Sequence, residues 1–138
     1  MKKVLIALLL VATVGGGIGY YMWNKPPESM ATRKSDMGIS AAQLLEAFQK
    51  DETAANAQYV GKIIVINGKV KESRVVDGVA KLSLEGGAEG AVVNCELDNN
   101  TKHPRTEFTP GETITIKGEC AGADLDGAVQ LSHCAEEK

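Results

Sequence analysis

The sequence predicts an all-β domain, a small closed barrel of five strands, on three observations. The stretch Tyr59 to Val70 carries Ile64, Ile66, Gly68 and Val70 on one side at period two and Ile63 and Val65 on the other, so its first half is apolar on both faces. Such a strand lies centrally, not at an edge. Gly68 interrupts it in the middle, and a glycine within a strand marks a bend, a bulge or a close approach by another backbone. Four shorter apolar alternations follow without a crossover helix between them. A long, bent first strand leading four short ones is the pattern of an OB-fold barrel.

Ahead of the barrel, Lys2 and Lys3 precede an uncharged run from Val4 to Trp23, and a helix over that run would be about 30 Å long, enough to span a bilayer core. Positive charge before it and Tyr20, Tyr21 and Trp23 at its far end predict a transmembrane helix with its N-terminus in the cytoplasm. The alternative is a cleaved signal peptide with its apolar region at Val4 to Val14 and the Gly15-Gly16-Gly17 run near the cut. No Ala-x-Ala site is present and the apolar run continues past the glycines, which favours the anchor. Residues 1–23 are therefore read as a signal anchor or signal peptide. The expected location is the inner membrane, single-pass, with the domain facing the periplasm; cleavage would instead release it into the periplasm.

Residues 24–39 change to Pro26, Pro27, Ser29 and mixed charges with no apolar period, and read as a linker. The domain is expected over residues 40–138. Ser40 with Gln43 forms a capping-box signature ahead of Leu44, Leu45, Ala47 and Phe48, and a second helical piece is expected from Thr53 to Tyr59, ended by Gly61. After the first strand the chain is expected to turn through Lys71 to Gly78. The second strand follows over Val79 to Leu84, and the third over Ala91 to Leu97 with Val93, Cys95 and Leu97 on one face. Residues 98–111 are polar and read as a long connection. The fourth strand, Thr113 to Cys120, is joined to the fifth, Ala128 to Cys134, by a hairpin at Asp126-Gly127.

The segments Leu44-Leu45-x-Ala47-Phe48, Tyr59-Val60-Gly61-Lys62, Ile64-x-Ile66-x-Gly68-x-Val70, Val93-x-Cys95, Gly111 to Gly122 and Leu131-x-x-Cys134, in that order, resemble the tRNA-anti-like family of bacterial envelope OB-fold proteins. The resemblance covers residues 40 to 135. It implies an OB barrel, often behind a signal or lipid anchor, with no established enzymatic activity. This chain departs from lipidated relatives because its first cysteine is Cys95.

Charge narrows the function. Residues 1–35 hold five Lys or Arg and one acidic residue, whereas residues 36–138 hold ten and seventeen, a net of −7. An acidic domain lacks the basic footprint that supplies most non-specific nucleic-acid affinity. Three cysteines are the only residues with evident chemistry. In an oxidising compartment two of them would pair, and Cys120 and Cys134 flank the Asp126-Gly127 turn nearly symmetrically; a one-residue bulge is needed to bring them opposite. A zinc site with His133 or His103 is disfavoured because no Cys-x-x-Cys pair seeds it. No nucleophile with a base, phosphate loop or carboxylate pair is present, so no enzyme, metal or cofactor is expected. The expected function is a membrane-tethered extracytoplasmic binding module for a protein or envelope ligand, using Lys81, Ser83 and Asn94 on the second and third strands with Lys71 and Arg74 from the adjoining loop. The alternative is single-stranded nucleic acid, which needs stacking aromatics that this face lacks.

Overall fold

A computed structural model describes residues 2–26, 28–87, 90–103 and 105–137; Pro27 and Pro104, read above as loop residues, lie outside the described set. The element order is α1 (Lys2–Trp23), a 3-10 turn η1 (Met30–Thr32), β1 (Met37–Ser40), α2 (Ala41–Lys50), α3 (Glu52–Tyr59), β2 (Ile63–Val76), β3 (Val79–Glu85), β4 (Val92–Leu97), β5 (Thr113–Ala123) and β6 (Val129–Glu136). The strands run β1-β2-β3-β4-β6-β5, and a further β2–β5 pairing closes β2 to β6 into the expected five-stranded barrel.

Closure rests on β2. Its first half, Ile63 to Lys69, pairs antiparallel with β5, and its second half, Lys69 to Val76, pairs with β3, so the strand changes partner at Lys69. A register shift between Val70 and Glu72 leaves Lys71 as the bulge residue, and bulges bend and twist a strand as closure requires. The expected turn over Lys71 to Gly78 is therefore only its last two residues. Asp77 and Gly78 both have positive φ, the geometry of a two-residue hairpin turn that Asp-Gly favours, and Val76 pairs directly with Val79.

The α2 helix covers one mouth of the barrel. Ser40 Oγ accepts from the Gln43 N–H at 3.2 Å and Gln43 Oε1 accepts from the Ser40 N–H at 3.3 Å, completing the capping box. Ala41, Leu44, Leu45 and Phe48 are buried in one cluster with Ile64, Ile66, Leu82, Leu84, Val93 and Ile116. Two glycines admit the helix. A Cβ on Gly68 would stand 3.0 Å from the Ala41 Cβ, and one on Gly86 would stand 2.9 Å from the Ala41 backbone carbon and oxygen. At Gly68 the neighbours are the Ala41 and Leu84 side chains and not another backbone.

Residues 24–39 are more than a linker. Met30 is 1% exposed and packs with Ile63 and Ala135. The Met30 N–H donates to Asp98 Oδ2 at 3.2 Å, Lys117 Nζ donates to the Ala31 carbonyl at 3.2 Å, and Asp36 and Ile63 exchange two bonds of 2.7 and 2.9 Å. Next, β1 adds a parallel strand to β2, Met37 opposite Ile64 through Ser40 opposite Asn67. A strap from Met30 onward is docked on the barrel. Polar composition suggested a free tether because the strap docks mainly through backbone groups and one methionine, neither of which shows as periodicity.

The N-terminal helix forms over the expected run, with Val4, Ile6, Val11, Val14 and Ile18 exposed. Among the described residues, which leave out the side chains of Leu5, Leu8 and Leu9, no helix is long and apolar enough to cross a membrane, so the transmembrane assignment is not shown.

Gly86→Ala should destabilise the domain by about 1–3 kcal/mol, because the new methyl meets helix backbone that cannot move aside. Gly87→Ala, whose Cβ would meet nothing within 4 Å, is the control. Urea denaturation of both reads the difference, and equal midpoints would contradict the packing described.

Candidate binding face

Outward positions of β2, β3 and β4 form one polar face because the inward positions of β3 and β4 are filled by Ala80, Leu82, Leu84, Val93, Cys95 and Leu97. Arg74 lies opposite Lys81, and Lys81 opposite Glu96. Further along, Ser83 lies opposite Asn94, and Asn94 opposite Gln130 on β6. These side chains, with Val76, line a shallow pocket of about 350 Å³.

The polar groups of the face satisfy one another. Ser83 Oγ donates to Asn94 Oδ1 at 2.8 Å, Arg74 pairs with Glu72 at 3.0 Å, Lys81 pairs with Glu96 at 3.3 Å, and Gln130 Nε2 donates to Asp124 Oδ2 at 2.7 Å. Each cation has a carboxylate beside it and about half its surface in water, so the ion pairs are weak and exchangeable. The face can offer hydrogen bonds to a polar ligand. Arg74, Lys81, Ser83 and Asn94 come together as expected; Lys71 does not. As the bulge residue it leaves the alternation, and its Nζ reaches the Gly90 carbonyl at 3.5 Å. Glu96 and Gln130 were missed, although Glu96 continues the outward alternation of Asn94 and Gln130 stands between the inward Val129 and Leu131.

Phe108 is buried, and Arg105 lies over its ring at 4.5 Å while bonding Glu136 and Glu112, each at 2.7 Å. Hydrogen bonding from Arg105 holds the Glu112 carboxyl below its ordinary range. Phe48 and Tyr59 are also buried, 6.1 Å apart between ring centroids. All three aromatic residues beyond residue 23 are thus withdrawn from the surface.

The expected Cys120–Cys134 disulfide is absent: Cys95, Cys120 and Cys134 are all free and buried. The hairpin register is the reason. Bulges put Cys120 opposite Leu131 and Lys117 opposite Ala135, so Cys134 sits about three residues further along the ladder. His133, at φ +52°, is the extra residue that keeps Cys134 on the inward side. The Cys134 thiol instead contacts that of Cys95 on β4 and lies where a Cβ on Gly118 would be. Burial pushes the thiols of Cys120 and Cys134 up, which disfavours thiolate at neutral pH.

Beside the face, Asp98 is a buried carboxylate. Burial alone would raise its pKa, but bonds from Thr101 Oγ1, the Asn100 N–H and the Met30 N–H, with His133 nearby, hold it below its ordinary value. His133 Nδ1 stands 3.7 Å from it, and His103 Nε2 meets the Asp98 carbonyl at 2.7 Å. Among the described residues no group of His, Cys, Asp and Glu could hold a metal ion.

The sequence profile of the tRNA_anti-like family matches residues 1–135. No curated protein sequence matches the chain. Among solved structures, a candidate nucleic acid-binding lipoprotein from Klebsiella pneumoniae is 15% identical, with TM-score 0.56 over 72% of this chain and 92% of that one. A candidate aspartyl-tRNA synthetase from Leishmania major Friedlin is 12% identical, with TM-score 0.49 over 91% of this chain and 26% of that one. The first likeness shows a shared fold.

Two outcomes follow from the buried groups. An alkylating reagent should modify no cysteine in the native protein and all three after denaturation without reductant, as read by intact mass; a denatured count of one would restore a disulfide. For Asp98, a folded pKa below the unfolded value near 3.8 makes its contribution complete above that value and lost as pH falls through the folded one. Melting temperature should therefore fall below about pH 4, and Asp98→Asn, costing about 1–3 kcal/mol at pH 7, should flatten that decline.

Proposed function

The chain belongs to the tRNA_anti-like family, and from that membership we propose that it is a non-enzymatic, membrane-tethered extracytoplasmic binding module whose β2–β4 face holds a polar protein or envelope ligand. The observation that carries this reading is the chemistry of the face. It presents hydroxyl, amide and neutralised charged groups, while Phe48, Tyr59 and Phe108 are all buried. Base stacking, worth about 1–3 kcal/mol per base in single-strand binders, has no platform here. Peptide and glycan ligands, rich in carbonyls, N–H groups and hydroxyls, match amide side chains that both donate and accept.

Support for the tether comes from α1. A helix of 22 residues with exposed Val4, Ile6, Val11 and Ile18 requires an apolar covering, and Lys2 and Lys3 at its start with Tyr20, Tyr21 and Trp23 at its end suit a bilayer. The Klebsiella neighbour is titled a lipoprotein, in keeping with an envelope location.

A second reading is single-stranded nucleic acid. It is favoured by that neighbour's title and by the cross-strand Arg74 and Lys81 pair. Anisotropy with labelled oligonucleotides across a salt series separates the two. The first reading expects no binding at physiological salt, whereas micromolar binding that weakens with salt and is lost in Arg74→Ala or Lys81→Ala establishes the second. A photo-crosslinking side chain at Ser83 in intact cells should yield discrete adducts that the same group at Lys50, on the exposed side of α2, does not give. Identical adduct patterns at both positions would reject the face.

A further inference from the structure

We infer that the strap-bearing pole of the barrel lies against lipid head groups, so that the binding face begins at the membrane surface and runs away from it. The inference rests on the membrane reading of α1 and adds to it an orientation that a flexible linker would not impose.

The strap is fixed to the barrel by two buried charges. Asp98 is 4% exposed and Lys117 is 7% exposed, and each bonds a strap backbone group, the Met30 N–H and the Ala31 carbonyl. Arg33 adds a pair with Glu119 at 3.7 Å. Releasing the strap would cost each buried ion one partner and expose Met30, so the docked state is the stable one.

Only Asn24 to Ser29 then separate the end of α1 from the anchored Met30. Seven residue steps reach at most about 25 Å. A domain of roughly 100 residues has a radius near 17 Å, so a path from the membrane around to its far pole covers about 50 Å. The available chain is half that. The surface around Met30 therefore cannot be the pole far from the bilayer and stays on its near side.

That surface suits head groups and not acyl chains. Glu28, Arg33, Asn100, Glu119 and His133 border a shallow recess of about 190 Å³ over Met30 and Asp98. Glu28, Asp98 and Glu119 stand there with Arg33, so the recess joins acidic groups to a basic one, which suits the amine as well as the phosphate of a zwitterionic head. The exposed large apolar residues of the β2–β3 and β5–β6 hairpins, Val75, Val76 and Leu125, lie outside this recess.

The direction of the face follows from β2. Ile63, at its start, packs on Met30, and Val76, at its end, borders the binding pocket thirteen residues away. The recess shares Asp98, Asn100 and His133 with a second pocket, and that pocket shares Glu96 and Gln130 with the binding face. Adjoining recesses thus run from the head-group level outward.

The test uses the full chain in phospholipid nanodiscs with a fluorophore on Asn100→Cys or on Val76→Cys, the native cysteines being buried. A head-group spin-labelled lipid should quench the Asn100 probe several-fold more than the Val76 probe. Inserting about 15 Gly-Ser residues between Asn24 and Lys25, which adds roughly 20 Å of mean reach, should bring the two probes to parity. Met30→Asp, which releases the strap, should do the same. Equal quenching in the unmodified chain, or Asn100 quenching that survives the insertion, overturns the inference. Failure of the chain to co-elute with the discs would instead remove the membrane reading itself, and the orientation with it.

Discussion

One strand has to serve two neighbours, and the barrel depends on how it does so. β2 gives its first half to β5 and its second to β3, and the exchange takes place at Lys69, which is paired with both Thr113 and Glu85. A straight strand cannot do this. Gly68 just before the exchange and the Lys71 bulge just after it let the backbone bend, and the closed sheet leaves no barrel edge unpaired. The same glycine, together with Gly86, makes room for Ala41, so the bend that closes the barrel also seats the helix that covers its mouth.

The bulge also sets which side chains share the outer face of the barrel. By slipping the register one place it ejects Lys71 from the outward row and leaves Arg74 facing Lys81 and Glu72 facing Ser83. Like charges directly opposite would be unfavourable, and each is offset by its own carboxylate, Glu72 or Glu96. The result is a face whose polar groups are already paired with one another.

The strap puts the domain's least soluble features to use. A buried aspartate and a buried lysine would each carry a desolvation cost, yet both find partners in a short segment that precedes the barrel in sequence. Intrinsic preference would have left that segment in solution. Its ordering leaves only Asn24 to Ser29 between α1 and the docked segment.

What the sequence by itself determined were the features written in local pattern. Period-two alternation located all five barrel strands, Ser40 and Gln43 marked the start of α2, and the inward set of Ile64, Ile66, Leu82, Leu84, Val93 and Ile116 is the core. The members of the face on regular strands, Lys81, Ser83 and Asn94, could be read for the same reason. Features that depend on register could not. A single bulge moved Lys71 out of the face, and two bulges with a left-handed His133 turned Cys134 toward Cys95 and away from Cys120, because one inserted residue reverses every side chain beyond it. The strap and β1 were hidden for a different reason. They are held by backbone hydrogen bonds and by charges remote in sequence, Asp98 and Lys117, and contacts of that kind exist only once the tertiary structure has brought their partners together.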